Sequence, residues 1–495
     1  MSSANSSKSS PPQIVAPFID GVLSQSDSDA TVDVVNPSTG QQLFSIPAGS
    51  DRDADRAVAS ARRAFESGHW SEAPPSFRKR VLNRFADLME KQGPVLDALD
   101  AEEMGKPVAE PLFNGEKAAA RVRFYAESVD KLTGDVYASD RQSFVVQRWA
   151  PRGVIAAIVP WNFPTGNAAI KLGPALAAGN SVVLKPSEMA SRSAMRLASL
   201  ALEAGLPPGV LNVTPGLGEI VGRALGLHPQ VDMVTFTGSS QVGKLMLQYS
   251  GQSNMKVVLV ECGGKSPQIV FDDGVDPEHA GDSIARFLIT NQGQICSVGS
   301  RLLVQRSIEP SMLDTITRRV KQIVMGDALD PKTTFGPIVS AKQCERVMGY
   351  IEAGSAEGGE LAAGGRRVME QTGGYFIEPT IFRNVGANAR IAQEEIFGPV
   401  LSIIPFEDES EAIRIANGTM FGLQAYVWTS SLSRAMRMAK AIRSPVTINA
   451  DAQAGEGAGH AASWEPAGQS GLGVEGGLAG MTSYLRRQVV WMNHG

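Results

Sequence analysis

The stretch GVIAAIVPWNFPTGNAAIKLGPALAAGNSVVLKP, residues 153–186, contains the pattern that sets the fold class. Its apolar run at 153–160 predicts a buried strand, the segment at 166–179 predicts a helix, and 181–186 predicts a second strand. A strand, a helix and a strand in this order form the unit from which parallel sheets are built. The stretch therefore predicts an α/β fold.

The same alternation continues over residues 193–264. The segments read in turn as helix, strand, helix, strand, helix and strand: SAMRLASLALEAG, VLNVTPG, EIVGRALGL, VDMVTFTG, SQVGKLMLQYS and KVVLVECGG. This repetition predicts a doubly wound, mostly parallel sheet. Polar motifs stand where the predicted strands end: PWNFP, KPSE, PGLGE, FTGSS and ECGGK. Because doubly wound sheets bind ligands beyond the carboxyl ends of their strands, these motifs predict a ligand crevice.

The remaining segments give the coarse organisation of the chain. Short apolar runs at 18–47 predict strands and turns, and amphipathic periodicity at 51–126 predicts helices. Alternation at 134–150 predicts a long strand or a hairpin. A second α/β block follows at 264–463, a loop-like, glycine-rich segment at 455–477, and a final strand in TSYLRRQVVWM.

Length and composition limit the class of protein. The 495 residues are too many for one hydrophobic core and predict about two to four domains. The net charge of -5 gives no basic footprint for nucleic acid, and no run of about 18 apolar residues predicts a membrane span. The N-terminal residues 1–13 lack the features of a signal or transit peptide and predict a disordered tail.

Cysteine is scarce in this sequence. The three cysteines, Cys262, Cys296 and Cys344, cannot all pair within one chain, and they show no CxxC or Cys/His spacing of a zinc site. We therefore expect no metal site and a reducing compartment, the cytoplasm.

Three side chains could carry chemistry. Cys296 lies among small, polar residues in NQGQICSVGSR, Glu261 ends the apolar run VVLV, and Asn162 stands between two prolines in PWNFP. A thiol, a carboxylate and a fixed amide could serve as nucleophile, general base and oxyanion donor. Each also has an ordinary interpretation, as a buried cysteine, a salt-bridged or helix-capping glutamate and a turn asparagine.

Long motifs in a fixed order identify a resemblance. PWNFP, KLGPALAAGN, KPSE, FTGSSQVG, ECGGKSP, NQGQICSVGSR and EEIFGPV resemble the NAD(P)⁺-dependent aldehyde dehydrogenase superfamily, of the non-acylating, hydrolytic type. The resemblance runs from about residue 18 to the C-terminus. It implies a doubly wound NAD-binding domain at 14–131 and 152–262, an α/β catalytic domain at 263–478, and a small β oligomerisation element at 132–151 and 479–495. A homodimer or homotetramer is implied too.

The resemblance also implies a mechanism. Cys296 would attack an aldehyde, giving a thiohemiacetal whose oxyanion is held by the Asn162 side chain and the Cys296 N–H. Hydride transfer to NAD⁺ would leave a thioester, and Glu261 would activate water to release the carboxylic acid. Lys171 matches a family lysine that could help proton movement, or it is an ordinary lysine on a helix surface.

The cofactor site follows from the same motifs. A carboxylate at Glu188 would accept from the ribose 2′-OH and would favour NAD⁺ over NADP⁺. The helix N-terminus near Ser239 would suit the pyrophosphate. The positions that match the family's NAD site are Ile158, Trp161, Lys185, Glu188, Gly218, Phe236, Gly238, Ser239, Gly263, Glu395 and Phe397.

The sequence departs from the family pattern in three places. Cys262 stands where leucine is commoner, and Thr165-Gly166-Asn167 replace large apolar residues. The usual glycine loop before QSGLG is rewritten and holds His460 and Trp464, which could contact substrate or pack within the loop. These changes favour a bulky aromatic or amine-derived aldehyde.

Two other functions stay open from the sequence. A CoA-acylating aldehyde dehydrogenase would use the same cysteine but usually lacks the water-activating glutamate. A catalytically silent NAD-binding scaffold would be expected to lose Cys296, Glu261 or Asn162, and all three are present.

Overall fold

The computed structural model describes residues 15–450 and 459–494, so the predicted tail at 1–13 lies outside the described residues. The N-terminal elements are β1 Phe18–Ile19, β2 Val22–Leu23, β3 Thr31–Val35, β4 Gln42–Pro47, α1 Asp51–Glu66, α2 Pro75–Lys91, α3 Gly93–Met104, α4 Gly115–Ser128, β5 Asp135–Tyr137 and β6 Ser143–Pro151. The next elements are β7 Val154–Ile158, α5 Pro164–Ala177, β8 Ser181–Lys185, α6 Arg192–Glu203, β9 Leu211–Val213, a π-helical turn Gly218–Gly222, α7 Arg223–Leu227, β10 Met233–Thr237, α8 Ser240–Gln252 and β11 Val257–Glu261.

The second half continues the alternation. It contains β12 Pro267–Val270, α9 Pro277–Ile289, β13 Arg301–Gln305, α10 Glu309–Val320, α11 Ala341–Ala356, β14 Glu360–Ala363, β15 Arg367–Val368, β16 Phe376–Ile377, β17 Thr380–Arg383, α12 Arg390–Gln393, β18 Val400–Phe406, α13 Glu409–Ala416, β19 Phe421–Gly422, β20 Ala425–Trp428, α14 Leu432–Ala441 and β21 Val446–Ile448. It ends with β22 Ser463–Trp464, β23 Ala467–Gly468, β24 Gly471–Leu472, β25 Glu475–Gly476, α15 Gly477–Ser483 and β26 Leu485–Asn493. Short 3₁₀ turns lie at Thr290–Gly293, Arg306–Ile308 and Glu370–Thr372.

The first sheet has eight strands in the order β2-β1-β9-β8-β7-β10-β11-β24. Strands β7 to β11 are mutually parallel, and antiparallel strands close both edges. Alternate residues of β7 enter two different cores: Ile155 and Ala157 pack with α2, α4, α5 and α6, whereas Val154 and Ala156 pack with α1, α7 and α8. Helices therefore cover both faces, as the period of two in a strand requires. The predicted doubly wound sheet is confirmed.

The second sheet has seven strands in the order β14-β17-β18-β13-β12-β20-β21. All of its neighbouring pairs except β14–β17 are parallel. One face packs against α11 to α14 and the other against α9 and α10. The predicted second α/β block is this sheet with its helices.

A separate three-stranded sheet joins the end of the chain to its middle. All nine residues of β26 pair with β6 in an antiparallel register, and β5 pairs with β6 on the other side. Several large apolar side chains of this sheet are exposed, among them Val136, Phe144, Val489 and Trp491. The predicted hairpin at 134–150 and the predicted final strand thus belong to one sheet.

Two segments differ from the sequence-based predictions. The helix α5 begins at Pro164, two residues before the predicted start, because proline suits the first helical position. The segment predicted as loop-like contains the short strands β22 to β25 from residue 463 onward, while its residues 455–458 lie outside the described part. Across residues 15–450 and 459–494, every helix is too short or too polar to cross a membrane.

Candidate active site

The register of the first sheet brings the polar motifs to one edge. Ile158, the last residue of β7, lies opposite Lys185 on β8 and opposite Phe236 on β10. On the other side of β10, Thr237 lies opposite Glu261, the last residue of β11. The motifs that follow these strands therefore emerge side by side, where a doubly wound sheet binds its ligands.

A cavity of about 400 Å³ opens at this edge and extends to the second sheet. Its walls come from the PWNFP loop, the start of α5, the loop after α9 and the segment before β18. Predicted site residues that line it are Trp161, Asn162, Gly238, Ser239, Glu261, Gly263, Cys296, Glu395 and Phe397. Outside this lining lie Ile158, Lys171, Lys185, Glu188, Gly218 and Phe236.

The loop that carries Cys296 has an unusual backbone. Asn291 and Gln292 have φ values of 45° and 56°, a left-handed conformation that is costly for residues other than glycine. Side-chain hydrogen bonds hold the loop: Asn291 Nδ2 donates to Asn162 O at 2.8 Å, and Gln294 Oε1 accepts from Val339 N at 3.0 Å. The loop is thereby fixed against the PWNFP segment, with the partly exposed Cys296 facing the cavity.

The Cys296 thiol is neutral in this arrangement. Burial, and then the charges of Glu395 and Glu261, raise its pKa to about 12. Neutralising these carboxyl groups, or pairing them with a positive charge, removes the smaller part of this rise and so eases loss of the thiol proton.

Asn162 is buried beside the cysteine loop. Its Nδ2 donates to Gln294 O at 2.9 Å, and its Oδ1 accepts from Asn167 Nδ2 at 3.2 Å. Among the described residues the second N–H of the same amide has no acceptor, and it belongs to a residue that lines the cavity. The geometry thus offers a fixed amide donor beside the thiol.

Glu261 is buried at the end of β11, and its Oε1 makes no hydrogen bond within the described part of the chain. Burial, reinforced by the charge of Glu475, raises the pKa of Glu261 well above its usual range, while Lys171 and a hydrogen bond from Trp464 oppose the rise. Burial therefore favours the protonated form of this carboxyl group. A buried carboxyl with a raised pKa can act as acid or base near neutrality.

A buried ion pair acts on the pKa of Glu261, and one of its members, Glu475, lines the same cavity. Lys171 Nζ is 2.5 Å from Glu475 Oε1, and both side chains are almost completely buried. The interpretation of Lys171 as a helix-surface lysine is therefore wrong. Glu475 was missed by the sequence reasoning, because a lone glutamate in the glycine-rich GVEGG stretch carries no motif, and its partner is 304 residues away.

Next to the cavity, the same edge of the first sheet carries groups that could bind a dinucleotide. Ser239 caps the N-terminus of α8, where its hydroxyl accepts from Val242 N at 3.3 Å, so the free N–H groups of that first turn can hold a phosphate. Lys185 Nζ lies 3.5 Å from Glu188 Oε2 and donates to Pro186 O at 2.9 Å. A Cβ added at Gly218 would meet no atom of another segment within 4 Å among the described residues, so this position leaves room for a ligand.

The opposite wall of the cavity holds Glu395. Its Oε1 accepts from Gly264 N at 3.2 Å, and a Cβ on Gly263 would stand 2.0 Å from Glu395 Oε2, so a side chain at Gly263 would displace the Glu395 carboxyl group. Burial raises the pKa of Glu395 to about 7. Phe397 packs edge-on against Trp161, with ring centroids 5.3 Å apart, and forms the adjoining apolar surface. These residues, with the α8 N-terminus, fit NAD⁺.

Of the residues at which this sequence departs from the family pattern, some line the cavity and others lie away from it. Cys262 is buried in the core between β11 and α8 and lines the cavity, where burial raises its pKa to about 12. Trp464 lines the cavity, whereas the ring of His460 lies 6.3 Å from Phe124 on α4, away from the lining. Within residues 15–450 and 459–494, His, Cys, Asp and Glu form no cluster of three that could bind a metal ion.

Comparison with known proteins identifies the family. The profile described as the aldehyde dehydrogenase family matches residues 23–490. The NADP/NAD-dependent aldehyde dehydrogenase PuuC of Escherichia coli is 44% identical over 427 residues, 86% of this chain and 86% of that protein. Aminoacetaldehyde dehydrogenase of Pseudomonas aeruginosa is 39% identical over 434 residues, 87% of each chain. A solved structure of P. syringae AldA, an indole-3-acetaldehyde dehydrogenase with NAD⁺ and IAA, has a TM-score of 0.94 at 44% identity, covering 97% of this chain and 96% of that chain.

This chain belongs to the aldehyde dehydrogenase family. It is an NAD-dependent oxidoreductase that converts an aldehyde into the carboxylic acid, and the predicted family, fold and cofactor are confirmed.

Proposed function

We propose that Cys296, Asn162 and Glu261 carry out this oxidation. The observation that carries the proposal is that a thiol, an amide donor and a buried carboxyl from three distant segments line one cavity. Their types match the three tasks of the reaction, which are attack on the aldehyde, stabilisation of the oxyanion and activation of water.

The first half of the reaction belongs to the cysteine loop. As the thiol proton passes to a solvent water, Cys296 Sγ bonds to the aldehyde carbon, and the carbonyl oxygen becomes an oxyanion. The free N–H of Asn162 and the Cys296 backbone N–H hold that oxygen. NAD⁺, held between the α8 N-terminus and Glu395, would supply the acceptor for the hydride of the former aldehyde carbon, which stays bonded to Cys296 Sγ as a thioester.

The second half belongs to Glu261. Its carboxylate takes a proton from water as the water oxygen attacks the thioester, and the carbon–sulphur bond breaks to release the acid. Its raised pKa makes it a stronger base once ionised. The paired Lys171 and Glu475 act on this carboxyl group in opposite directions, since Glu475 raises the pKa of Glu261 and Lys171 lowers it.

For the cofactor, we propose that Glu188 and Lys185 face the adenine ribose, with Gly218 beside them. Gly238 and Ser239 hold the pyrophosphate at the start of α8. Ile158, Trp161, Phe236, Gly263, Glu395 and Phe397 surround the nicotinamide half. A carboxylate at Glu188 repels a 2′-phosphate, so NAD⁺ is preferred over NADP⁺.

The substrate we propose is a bulky aldehyde, aromatic or amine-derived. Phe113, Phe163 and Trp464 give the cavity an aromatic lining, and Asn167 and Gln424 add polar groups. Two relatives support this class, since their names refer to aminoacetaldehyde and to indole-3-acetaldehyde.

The proposal extends to the arrangement of the molecule. Residues 14–131 and 152–262 form the NAD-binding domain, and 263–478 form the catalytic domain. The element at 132–151 and 479–495, which contains the three-stranded sheet, joins subunits into a homodimer or homotetramer, and the exposed apolar side chains of that sheet support this. The three cysteines, none in a disulfide, support a reducing compartment such as the cytoplasm.

The test is reduced-cofactor formation with a panel of aldehydes, with NAD⁺ and NADP⁺ in parallel and each assay run without and with CoA, for wild type and Cys296→Ala. We expect turnover with NAD⁺ that the substitution abolishes, and higher kcat/KM for aromatic or amine-derived aldehydes than for short aliphatic ones. Turnover only with CoA would favour an acylating enzyme. NAD⁺ binding without turnover of any aldehyde would favour a silent scaffold.

A further inference from the structure

Asn167 lies in the first turn of α5, five residues after Asn162, and lines the cavity. Its backbone N–H already serves the helix by donating to Phe163 O at 2.8 Å. Asparagine is a poor helix former, so a helix gains nothing by having it at this position. What its side chain does contact is the amide of Asn162.

The hydrogen bonds determine how the two amides are oriented. The carbonyl oxygen of Gln294 can only accept, so the atom of Asn162 at 2.9 Å from it is the nitrogen. The Asn162 oxygen then faces Asn167, and the Asn167 atom at 3.2 Å from it must be the donating nitrogen. Asn162 is thus held at both ends of its amide, with one N–H remaining for the cavity.

This contact has an electronic consequence as well. A hydrogen bond accepted by an amide oxygen polarises the amide, so its N–H becomes a stronger donor. The effect is larger for a buried amide than in water, because the surroundings screen it less. Asn162 is buried, at 4% exposure.

We propose that Asn167 is a positioning residue that orients and polarises the Asn162 amide for the oxyanion. The proposal rests on the proposed role of Asn162 as oxyanion donor. Asn167 therefore acts on the reaction through Asn162, without contact with the reacting atoms.

The test is a double-mutant cycle on the holoenzyme, with Asn167→Leu, Asn162→Ala and the double variant. Removal of an oxyanion donor is expected to lower kcat/KM for the aldehyde about 100-fold or more. Asn167→Leu is expected to lower it about three- to tenfold, the size of one neutral hydrogen bond. In the Asn162→Ala background the same change is expected to have no further effect, since residues that act through one another are not additive.

Two further variants separate positioning from packing. Asn167→Asp keeps the shape but cannot donate when ionised, so we expect a loss at least as large as that of Asn167→Leu. Ile170→Val changes the same cavity wall without touching the Asn162 amide, and its effect is expected to be equal in both backgrounds. The affinity for NAD⁺, measured by fluorescence titration, and the melting temperature are expected to stay near wild type for Asn167→Leu.

The outcomes are distinguishable. Full persistence of the Asn167→Leu loss in the Asn162→Ala background would overturn the proposal and assign Asn167 to the substrate. An active Asn167→Asp enzyme, or no loss in Asn167→Leu, would also overturn it. Wild-type activity in Asn162→Ala would overturn the oxyanion role of Asn162, and with it both proposals.

Discussion

The thiol of Cys296 shares its cavity with the carboxyl groups of Glu261, Glu395 and Glu475, and the first two act on its pKa. Burial raises its pKa first, and the charges of Glu395 and Glu261 raise it further. Glu395 itself has a pKa raised to about 7 by burial, so above that pH it is ionised and opposes formation of the thiolate. The carboxylate that we assign to the cofactor thus restrains the nucleophile when no nucleotide is bound.

Replacing Glu395 should release this restraint. Without nucleotide at pH 9, Glu395→Gln is expected to speed alkylation of Cys296 by iodoacetamide about threefold or more, because removing a nearby negative charge lowers a thiol pKa. Mass spectrometry of the modified peptide measures the rate. Glu394→Gln, a neighbouring exposed carboxylate, is the matched control and should leave the rate unchanged. An unchanged rate in Glu395→Gln would show that its charge does not act on the thiol.

Asn162 lies two residues before the start of helix α5, and Lys171 lies in the middle of that helix. The N-terminus of α5 is hydrogen-bonded to helix α3. Asp100 of α3 is completely buried and accepts from Thr165 N at 3.1 Å. Burial raises the pKa of Asp100 to about 6, although Ser193, Lys106 and Thr165 favour its charged form. The position of the site therefore depends on a carboxyl group that is costly to ionise.

Because buried Asp100 is costly to ionise, the free energy of unfolding is expected to depend on pH. Between the unfolded pKa near 4 and the folded pKa near 6, the folded state binds more protons, so stability falls as pH rises through this range. Asp100→Asn keeps an acceptor for Thr165 N and removes the titration. We expect the drop in melting temperature from pH 4.5 to 7 to be smaller for the variant than for wild type. An equal drop in both proteins would contradict the role of Asp100.

For single helices and strands, the sequence predicts features that lie within one motif, but it does not predict contacts between distant motifs. Alternating apolar runs predicted the parallel strands, and motif order predicted Cys296, Glu261 and Asn162, because these signals are local. The cap on α5 comes from Asp100, which is 65 residues earlier, and Lys171 is paired with Glu475, which is 304 residues later. No window of sequence contains either pair, so their burial and geometry emerge only from the packing of α3, α5 and β25.

The whole molecule presents an exposed apolar surface on the three-stranded sheet. Trp491 is 77% exposed, and Val136, Phe144 and Val489 are exposed with it. Apolar surface of this kind, on a sheet that few other elements cover, is typical of subunit contacts.

A charge on this surface should separate the subunits. Trp491→Glu is expected to lower the molar mass measured by light scattering to that of a smaller assembly, because burying an unpaired charge at an interface is unfavourable. Leu432→Glu, at a side chain 78% exposed on α14, is the matched control and should leave the mass unchanged. A wild-type chain that is monomeric, or a Trp491→Glu variant of unchanged mass, would contradict the proposed oligomerisation sheet.

The central claim is that one cavity joins a cysteine that accepts the aldehyde with a glutamate that releases the acid. The most direct measurement is pre-steady-state NADH formation after mixing the enzyme and NAD⁺ with aldehyde, for wild type, Cys296→Ala and Glu261→Gln. The account predicts a burst of about one NADH per active site in Glu261→Gln followed by slow turnover, and no burst in Cys296→Ala. A burst in Cys296→Ala, or wild-type steady turnover in Glu261→Gln, would contradict it.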